Sequence, residues 1–273
     1  MRNKCQFKWV VVFLLLSGCI GCASISKDVQ PTDPHDPYES FNRKSYRFTD
    51  EIDRRYLEPI ADAYLAHAPE AVRRPVNNFY RNLSYPGVAL NSFLQGKVRQ
   101  GISDTLRFVI NTTVGIFGLA DMAGHMGFAE NDEDFGQTLA VWGVHAGSYT
   151  FIPIYGPSTQ RDVADIPFSF FSDGMLFLAY ALSGPVLAPL ALLRVIDKRA
   201  SLSGPMKVRD QSALDPYLFV REAFLQQRNF LIYDGKLPGT LYDQLLLDEP
   251  MMDMGGSRND VTLPHKKFLI LKK

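Results

Sequence analysis

Residues 175–193 read "MLFLAYALSGPVLAPLALL", a run of 19 residues without one charged side chain. By hydropathy alone, such a run is a candidate transmembrane helix. However, "SGP" at residues 183–185 and the proline at position 189 can each break a helix. Two halves of about ten residues would each cross only about half of a hydrocarbon core about 30 Å thick. We therefore predict an apolar hairpin that enters one leaflet and is formed around Met175, Leu176, Phe177, Leu178, Gly184, Pro185 and Pro189.

A second interpretation of the same run is a pair of buried helices in a soluble domain, because short apolar runs are more often core helices. The N-terminus favours the membrane instead. Arg2, Lys4 and Lys8 lie around the start of a short apolar run that ends in small residues. This pattern is typical of a secretory signal peptide, so we expect residues 1–18 to be removed.

The residues "LSGC", 16–19, resemble the lipobox of bacterial lipoproteins, in which the chain is cut before a cysteine that is then acylated. Cys19 would be the first mature residue, and two or three acyl chains would hold it stably at a membrane surface. Cys22 is the alternative acylation site, although no leucine stands in the triplet before it. A CxxC redox or zinc pair is the third possibility, but no second CxxC or nearby histidine supports it. We predict a lipidated tether over residues 19–35.

Composition and charge exclude several classes of function. Apolar residues make up 46 % of the 273 residues and aromatic residues 12 %, which is enough to fill a core. Basic and acidic side chains number 29 each, and the predicted signal peptide carries three of the basic ones. The mature chain is then slightly acidic, so charge predicts no nucleic-acid partner. Charge also predicts no electrostatic attraction to an anionic surface.

Helical signals mark both ends of the predicted folded region. At "DPYE", residues 36–39, an aspartate N-cap, a proline and a glutamate three positions after the cap resemble a capping box. A last helix is predicted to start at residues 215–216, "DP", and to end at residues 234–235, "DG". Apolar spacings of seven and four predict that the first helix runs to about Arg55 with one apolar face, formed by Phe41, Phe48 and Ile52.

Further helices are predicted between these two. One is expected to open at Pro69 and another at Pro86, and the second should stop at Gly96. A third should end near Gly115 and carry an apolar stripe of Val98, Ile102, Leu106 and Val109. Short helices with short connections indicate a mainly α fold.

Residues 128–160 lack a helical period and are rich in glycine and aromatic side chains. We predict an irregular segment with a helical turn after Asp134 and short extended pieces near residues 149–153. The acidic run, residues 130–134, lacks the spacing of a calcium loop, so a solvated loop is expected there. Glycine allows backbone bending, so this segment is a candidate flexible wall or gate formed by Gly136, Gly143, Gly147 and Gly156. An ordinary surface loop is the equally favoured alternative.

Sequence motifs for catalysis are lacking. No G-x-S-x-G or phosphate-cradling glycine loop occurs, and the five histidines are solitary. We therefore predict no metal, no cofactor and no enzymatic activity. The alternative is a periplasmic lipid hydrolase that uses His145 with a serine, although a hydrogen-bonded structural histidine is the more common case.

Several strings occur in the order in which they stand in one known family. Across about residues 36–235, the chain resembles the MlaA (VacJ) outer-membrane lipoproteins in "DPYESFNRKSYRF" at 36–48, "FLQGK" at 93–97, "RFVINTTVGIFGLADMA" at 107–123, "EDFGQTLAVWGV" at 133–144, "GPSTQRD" at 156–162 and "DPYLFVREAFLQQR" at 215–228.

The resemblance implies a mainly helical, ring-like domain over residues 36–247, followed by a tail over residues 248–273 that we expect to be disordered. It implies a protein on the periplasmic side of the outer membrane, beside a porin trimer. Such a protein would remove mislocalised glycerophospholipid from the outer leaflet through an amphipathic channel and pass it to a periplasmic lipid carrier. No cofactor is implied. Ile20 stands where inner-membrane retention signals have aspartate, which fits outer-membrane sorting.

Four arginines lie in or beside the matched strings and are candidates for bidentate contact with a lipid phosphate, although surface ion pairs are the commoner role of such side chains: Arg43, Arg47, Arg107 and Arg161. An alternative to transport is a passive scaffold that binds porin and moves no lipid.

Overall fold

The computed structural model describes residues 36–172 and 184–236. Helices dominate these residues, with one small sheet, which confirms the prediction of a mainly α fold. The helices are α1 (Glu39–Ile52), α2 (Glu58–His67), α3 (Glu70–Leu94), α4 (Val98–Thr113), α5 (Met122–His125), α6 (Phe135–Val141), α7 (Asp165–Ser172), α8 (Gly184–Ser201), α9 (Ser203–Ser212) and α10 (Pro216–Ile232), and the strands are β1 (Tyr149–Ile152) and β2 (Gly156–Thr159).

Helix α1 begins differently from the prediction. Tyr38 occupies the N-cap position and makes no side-chain capping bond, so the predicted capping box is wrong. The Asp36 carboxylate is fully buried and accepts hydrogen bonds from Asn42, Tyr217 and Arg221 instead. A buried carboxylate is stabilised more by charge-assisted partners than by one helix N–H. Beyond α1, a π-helical turn over Asp53–Leu57 leads into α2.

Helix α3 is one helix of 25 residues, so the predicted break at Pro86 is wrong. Proline removes one hydrogen bond of the helix, but α4 packs along α3 and holds it on both sides of Pro86. Asn82 donates to the Thr112 hydroxyl at 2.8 Å, and the Ser92 hydroxyl donates to Asp104 at 2.9 Å. The predicted end of the helix at Gly96 is confirmed, since Gly96 has a φ of 78° directly after the last turn.

The segment over residues 128–160 contains the predicted helical turn and extended pieces. Asp134 caps α6 by accepting from the Gln137 N–H at 2.8 Å. Strands β1 and β2 pair antiparallel, with Tyr149 opposite Thr159 and Ile152 opposite Gly156. The acidic run is not a wholly solvated loop as expected, because Glu133 is buried.

Three side chains hold the buried Glu133 carboxylate. It accepts from Gln95 at 2.8 Å, from Lys97 at 2.9 Å and from Gln100 at 2.7 Å. A buried charge needs such partners. This acidic residue therefore ties the loop after α5 to the end of α3 and the start of α4.

The hairpin of β1 and β2 packs on α1 through buried side chains. Tyr149 is 1 % exposed and Phe151 is 3 % exposed. The Asn42 amide bridges the edge of β1, accepting from the Phe151 N–H at 2.8 Å and donating to the Tyr149 carbonyl at 3.2 Å. One side chain thus satisfies two backbone groups of the strand and fixes its position on the helix.

Helix α8 contains the second half of the predicted apolar hairpin. It runs continuously from Gly184 to Ser201 with Pro189 inside it, so Pro189 does not break the helix, although proline can do so. Pro185 lies in the first turn, where a helix tolerates proline well. In the part of the chain that the structure describes, no helix combines the length and hydropathy that a membrane crossing requires.

The chain divides into two compact units, residues 1–224 and 225–273. The first contains α1 to α9, the hairpin and the start of α10, where Asp215 caps the helix by accepting from the Tyr217 N–H at 2.9 Å. In the second, the described residues 225–236 form the last turns of α10 and a closing turn. The predicted end of this helix at Asp234-Gly235 is confirmed, and Gly235 donates to the Phe230 carbonyl at 2.8 Å with a φ of 76°.

Candidate functional site

Helix α4 has the reverse of the amphipathicity expected in a water-soluble protein. Its buried positions are Gly101, Asp104, Arg107 and Asn111. Its apolar stripe faces outward, and we call this stripe the α4 apolar face: Val98 is 57 % exposed, Ile102 51 %, Leu106 43 % and Val109 48 %. Exposed apolar patches of this kind mark contact with lipid or with another protein.

Neighbouring helices repeat the pattern. On α1, Phe41 and Phe48 are about half exposed, whereas Asn42 and Ser45 are buried. On α3, Leu90 and Phe93 are exposed while polar residues on the same helix are buried. Phe93 lies against α4, since a side chain added at Gly101 would meet its ring at 2.8 Å. The apolar exterior is therefore shared by at least α3 and α4.

The buried polar side chains between α3 and α4 are hydrogen-bonded to one another. Asp104 is fully buried and accepts from the Ser92 hydroxyl at 2.9 Å and from the Asn131 amide at 2.8 Å. Burial raises the pKa of Asp104, although these two hydrogen bonds oppose the change. The Asn91 amide oxygen accepts from the Thr138 hydroxyl at 2.8 Å, which joins α6 to the same interior.

Arg107 anchors the second part of this interior. The side chain is 2 % exposed, and one of its terminal nitrogens donates to both oxygens of Asp121 at 2.8 and 3.0 Å. The other nitrogen donates to the Phe128 carbonyl. Asn111 donates to the same aspartate at 3.0 Å. Burial opposes ionisation of Asp121, but hydrogen bonds from Asn111 and Gly124 and the charge of Arg107 together lower its pKa.

The opposite pKa shifts of the two aspartates predict opposite responses to pH. A lowered folded-state pKa means that Asp121 contributes stability above its ordinary pKa and that this contribution is lost as pH falls through the folded value. Asp121→Asn should therefore lower stability at pH 7 by about 1–2 kcal/mol and flatten the loss of stability below about pH 4. Denaturant unfolding in mild detergent between pH 7 and pH 2.5 measures both effects.

Asp104→Asn is the matched control. The raised pKa of Asp104 means that its charge costs stability at neutral pH. The amide can accept from Asn131 and donate to Ser92, so this variant should be at least as stable as the wild type at pH 7. Two variants that lose equal stability at pH 7, with unchanged pH dependence, would contradict the assignment.

The structure places the four predicted arginines in different surroundings. Arg43 is half-buried, pairs with Glu39 and Asp215 at 2.7 Å each, and lies 4.6 Å from the centre of the Tyr217 ring. Arg47 is exposed and donates to the Arg43 carbonyl at 3.4 Å. Arg161 is buried beside Asp162 at 3.2 Å. The four do not form one cluster of shared partners.

Arg107 instead lines the same pocket as Arg81. Arg81 is not among the headgroup contacts predicted from the sequence. Arg81 lies on α3 and forms an ion pair with Glu130. Its closeness to Arg107 depends on how α3 packs against α4. The sequence of α3 alone carries no signal for that packing, so motif spacing could not have found Arg81.

The four candidate gate glycines lie in or beside regular structure. Gly136 is buried within α6, and Gly156 begins β2 with a φ of 112°. Gly143 and Gly147 lie in the connection between them with φ values of 89° and 69°, a region that favours glycine. At Gly147 a side chain would also meet the Gln160 side chain at 2.5 Å. A gating role for these glycines stays a prediction.

Several predicted positions lie outside the described residues: Cys19, Cys22, Met175, Leu176, Phe177 and Leu178. Gly184 and Pro185 begin α8, and Pro189 is exposed on that helix. His145, the residue of the hydrolase alternative, is exposed in the turn before β1. Among residues 36–172 and 184–236, no group of three or more histidine, cysteine, aspartate or glutamate side chains could hold a metal ion.

A buried polar network and exposed apolar stripes on several helices are typical of a helical protein that contacts lipid or another protein. The chain belongs to the MlaA lipoprotein family, whose model matches residues 34–231. It is 35 % identical over 222 residues to the Escherichia coli intermembrane phospholipid transport system lipoprotein MlaA, covering 80 % of this chain and 86 % of the relative. The Haemophilus influenzae protein of the same name is 30 % identical over 226 residues, covering 80 % and 87 %.

A solved structure is similar to this chain as well. It comes from work on the structural basis for maintenance of bacterial outer membrane lipid asymmetry. The two share 32 % sequence identity and a TM-score of 0.62, and the match covers 72 % of this chain and 98 % of the solved chain. The resemblance seen in the six sequence strings is thereby confirmed at the level of the family and of the helical fold.

Proposed function

We propose that this protein is an outer-membrane lipoprotein that removes mislocalised glycerophospholipid from the outer leaflet and passes it to a periplasmic carrier, without catalysis. The lipid headgroup would move along the polar interior while the apolar faces lie in lipid. A porin trimer would hold the protein in the membrane, and Cys19 would carry the acyl anchor. Candidate phosphate contacts along the path are Arg43, Arg47, Arg107 and Arg161, and the candidate gate is formed by Gly136, Gly143, Gly147 and Gly156.

The observation that carries this proposal is the reversed amphipathicity of α4. Its inward side is polar and hydrogen-bonded, whereas its outward side is apolar and would be unfavourable in contact with water. The outward residues are Val98, Ile102, Leu106 and Val109. Family membership and the names of the relatives support phospholipid as the cargo.

A shielded path lowers the main barrier to lipid removal. Each acyl methylene exposed to water costs about 0.8 kcal/mol, so an unshielded two-chain lipid faces a barrier of tens of kcal/mol. A protein that covers the chains during transfer removes much of that cost without chemistry. The predicted apolar hairpin, Met175 to Leu193, would contribute to this cover from within one leaflet.

Gene deletion with complementation tests the proposal. Loss of the protein should raise the phospholipid content of the outer leaflet, measured by labelling of surface-exposed amine headgroups on intact cells. The wild-type gene and Cys22→Ala should restore the wild-type level, whereas Cys19→Ala should fail because its product is not anchored at the outer membrane. An unchanged outer leaflet after deletion would contradict the proposal, and full rescue by Cys19→Ala would contradict the anchor assignment.

A further inference from the structure

A half-open pocket lies between α3 and α4, and we call it the α3–α4 pocket. Its lining comes from α3 (Asn78, Arg81, Asn82 and Tyr85), from α4 (Arg107 and Asn111) and from Asp121 before α5. The empty space in the pocket and its open mouth is about 210 Å³, but only a group about the size of one water molecule fits inside. An enclosed volume of this size accepts one water molecule or one oxygen atom of a larger group.

Three buried polar atoms on residues that line the pocket lack hydrogen-bond partners within the protein. Arg107 Nε and Asn82 Oδ1 make no hydrogen bond, although these residues are only 2 % and 3 % exposed. The buried Tyr85 hydroxyl also makes no hydrogen bond, and the Arg107 guanidinium carbon lies 5.3 Å from the centre of the Tyr85 ring. Buried polar atoms without partners are costly. Their convergence on one pocket indicates that a ligand atom or water completes them.

An anionic ligand would meet two guanidinium groups, those of Arg81 and Arg107, and one carboxylate, that of Asp121, which is already paired with Arg107. Desolvation lowers the pKa of Arg81, Tyr85 and Asp121 oppose this change, and the positive charge of Arg107 adds to it. The ion pair of Arg81 with Glu130 is about one-third exposed on both sides and is therefore weak. An anionic oxygen at this position would accept from Arg81 and from Arg107 Nε, because the terminal nitrogens of Arg107 already donate to Asp121 and Phe128.

The Asn82 amide can adapt to such a ligand. Its nitrogen now donates to the Thr112 hydroxyl at 2.8 Å. A hydroxyl donates as well as accepts, so the bond survives when the amide turns over. In that orientation, the amide nitrogen faces the pocket as a donor.

An exposed apolar turn lies beside the pocket. Asn78, which also lines the pocket, donates to the Leu119 carbonyl at 3.3 Å, and a side chain added at Gly118 would meet Asn82 at 2.4 Å. Ile116 and Phe117 are 65 % and 71 % exposed at the tip of this turn. Both have positive φ values, 54° and 56°, which strain non-glycine residues. A strained turn that presents apolar side chains indicates a functional surface.

We propose that the α3–α4 pocket binds a phosphate oxygen of a glycerophospholipid, while the turn at Ile116 and Phe117 contacts the glycerol and acyl portion. A phospholipid and free phosphate present the same anionic oxygens to the pocket. The choice of the phospholipid therefore rests on the proposed function. Arg81 supplies the charge at the mouth and Arg107 the charge at the floor. Of the four candidate headgroup contacts, Arg107 is the one assigned to this pocket. Arg81 is added to it as a second contact.

Calorimetric titration of the full acylated protein in a non-ionic detergent tests the proposal. The probes are inorganic phosphate, dihexanoyl phosphatidylglycerol below its micelle concentration, and dihexanoyl glycerol, which lacks phosphate. Wild-type protein should bind the phospholipid at least tenfold more tightly than either other probe. Arg81→Gln should weaken phospholipid binding by about tenfold or more, the size of one charge-assisted hydrogen bond. Arg74→Gln, an exposed arginine on the same helix, should leave binding unchanged.

Phe117→Asn tests the apolar turn separately. Asparagine tolerates positive φ better than phenylalanine, so this variant should fold normally. It should weaken phospholipid binding several-fold and leave the binding of inorganic phosphate unchanged. A loss of phosphate binding in this variant would contradict the assignment of the turn to the lipid tails.

The remaining outcomes also separate the alternatives. Equal phospholipid affinity in Arg81→Gln and Arg74→Gln would overturn the pocket while leaving the proposed function standing. Inorganic phosphate that binds as tightly as the phospholipid would overturn the lipid assignment. If phospholipid binding depends on Arg81 but gene deletion leaves the outer leaflet unchanged, the pocket stands and the proposed function fails.

Discussion

Asp36→Ala is expected to lower the free energy of unfolding by about 3 kcal/mol, because it removes the centre of a buried polar cluster. Asp36 is fully buried and accepts from Asn42 at 2.8 Å, from Arg221 at 3.3 Å and from the Tyr217 hydroxyl. Burial first, and then the hydrogen bond to Asp36, raises the pKa of Tyr217, so this phenol stays neutral and continues to donate. The substitution leaves the donors of all three partners without this acceptor. Denaturant unfolding in mild detergent measures the loss.

Glu39→Ala is the matched control for Asp36. Glu39 lies three residues later and pairs with Arg43, but both side chains are about one-quarter to one-third exposed. A pair of this kind contributes about 0–1 kcal/mol. If the two variants were equally stable, the link through Asp36 between the start of the folded region and α10 would be unimportant for the fold.

Ile102→Asp is expected to weaken binding of the protein to lipid vesicles by about 100-fold. Ile102 is half exposed at the middle of the α4 apolar face, and an aspartate placed in hydrocarbon costs about 3 kcal/mol. Because acyl chains would mask this effect, both proteins are compared as mature chains from residue 19 that carry Cys19→Ala. Co-sedimentation with vesicles of bacterial lipids measures the fraction bound.

Ile102→Leu is the control for that change, since it keeps an apolar side chain of the same size and should bind as the parent does. Helix content by circular dichroism should be equal in all three proteins, because an exposed substitution on α4 leaves the buried polar side untouched. Vesicle binding that is equal in the aspartate and leucine variants would show that the α4 apolar face does not contact lipid.

Helical periodicity predicted where α4 and α10 lie and which residues share one face of α4. It could not predict which face points outward. A stripe such as Val98, Ile102, Leu106 and Val109 has the same spacing whether it packs into a core or faces lipid. The partners that bury Asp104 and Arg107 come from α3 and from the loop after α4, so the direction of the stripe is set by tertiary packing.

The sequence-based predictions that the structure contradicts fail for related reasons. Pro86 was expected to start a helix, but α3 continues through it because hydrogen bonds to α4 support the helix on both sides. Asp36 does not cap α1 as predicted, because partners 181 and 185 residues later in the sequence bind its carboxylate. The sequence did not indicate Arg81 as a site residue, because Arg81 comes close to Arg107 only when α3 and α4 pack together. In each case, contacts between residues that are distant in the sequence override the local conformational propensity.

Site-directed spin labelling in proteoliposomes tests most directly whether the α4 apolar face lies in lipid. Nitroxides would be attached at Ile102→Cys and Val109→Cys, with Arg74→Cys as the exposed polar reference and Cys22→Ser in every protein. Labels at 102 and 109 should collide more often with oxygen, which concentrates in the bilayer, than with a water-soluble nickel complex. The label at 74 should show the reverse preference. Labels at 102 and 109 that are as accessible to the nickel complex as the label at 74 would contradict the account.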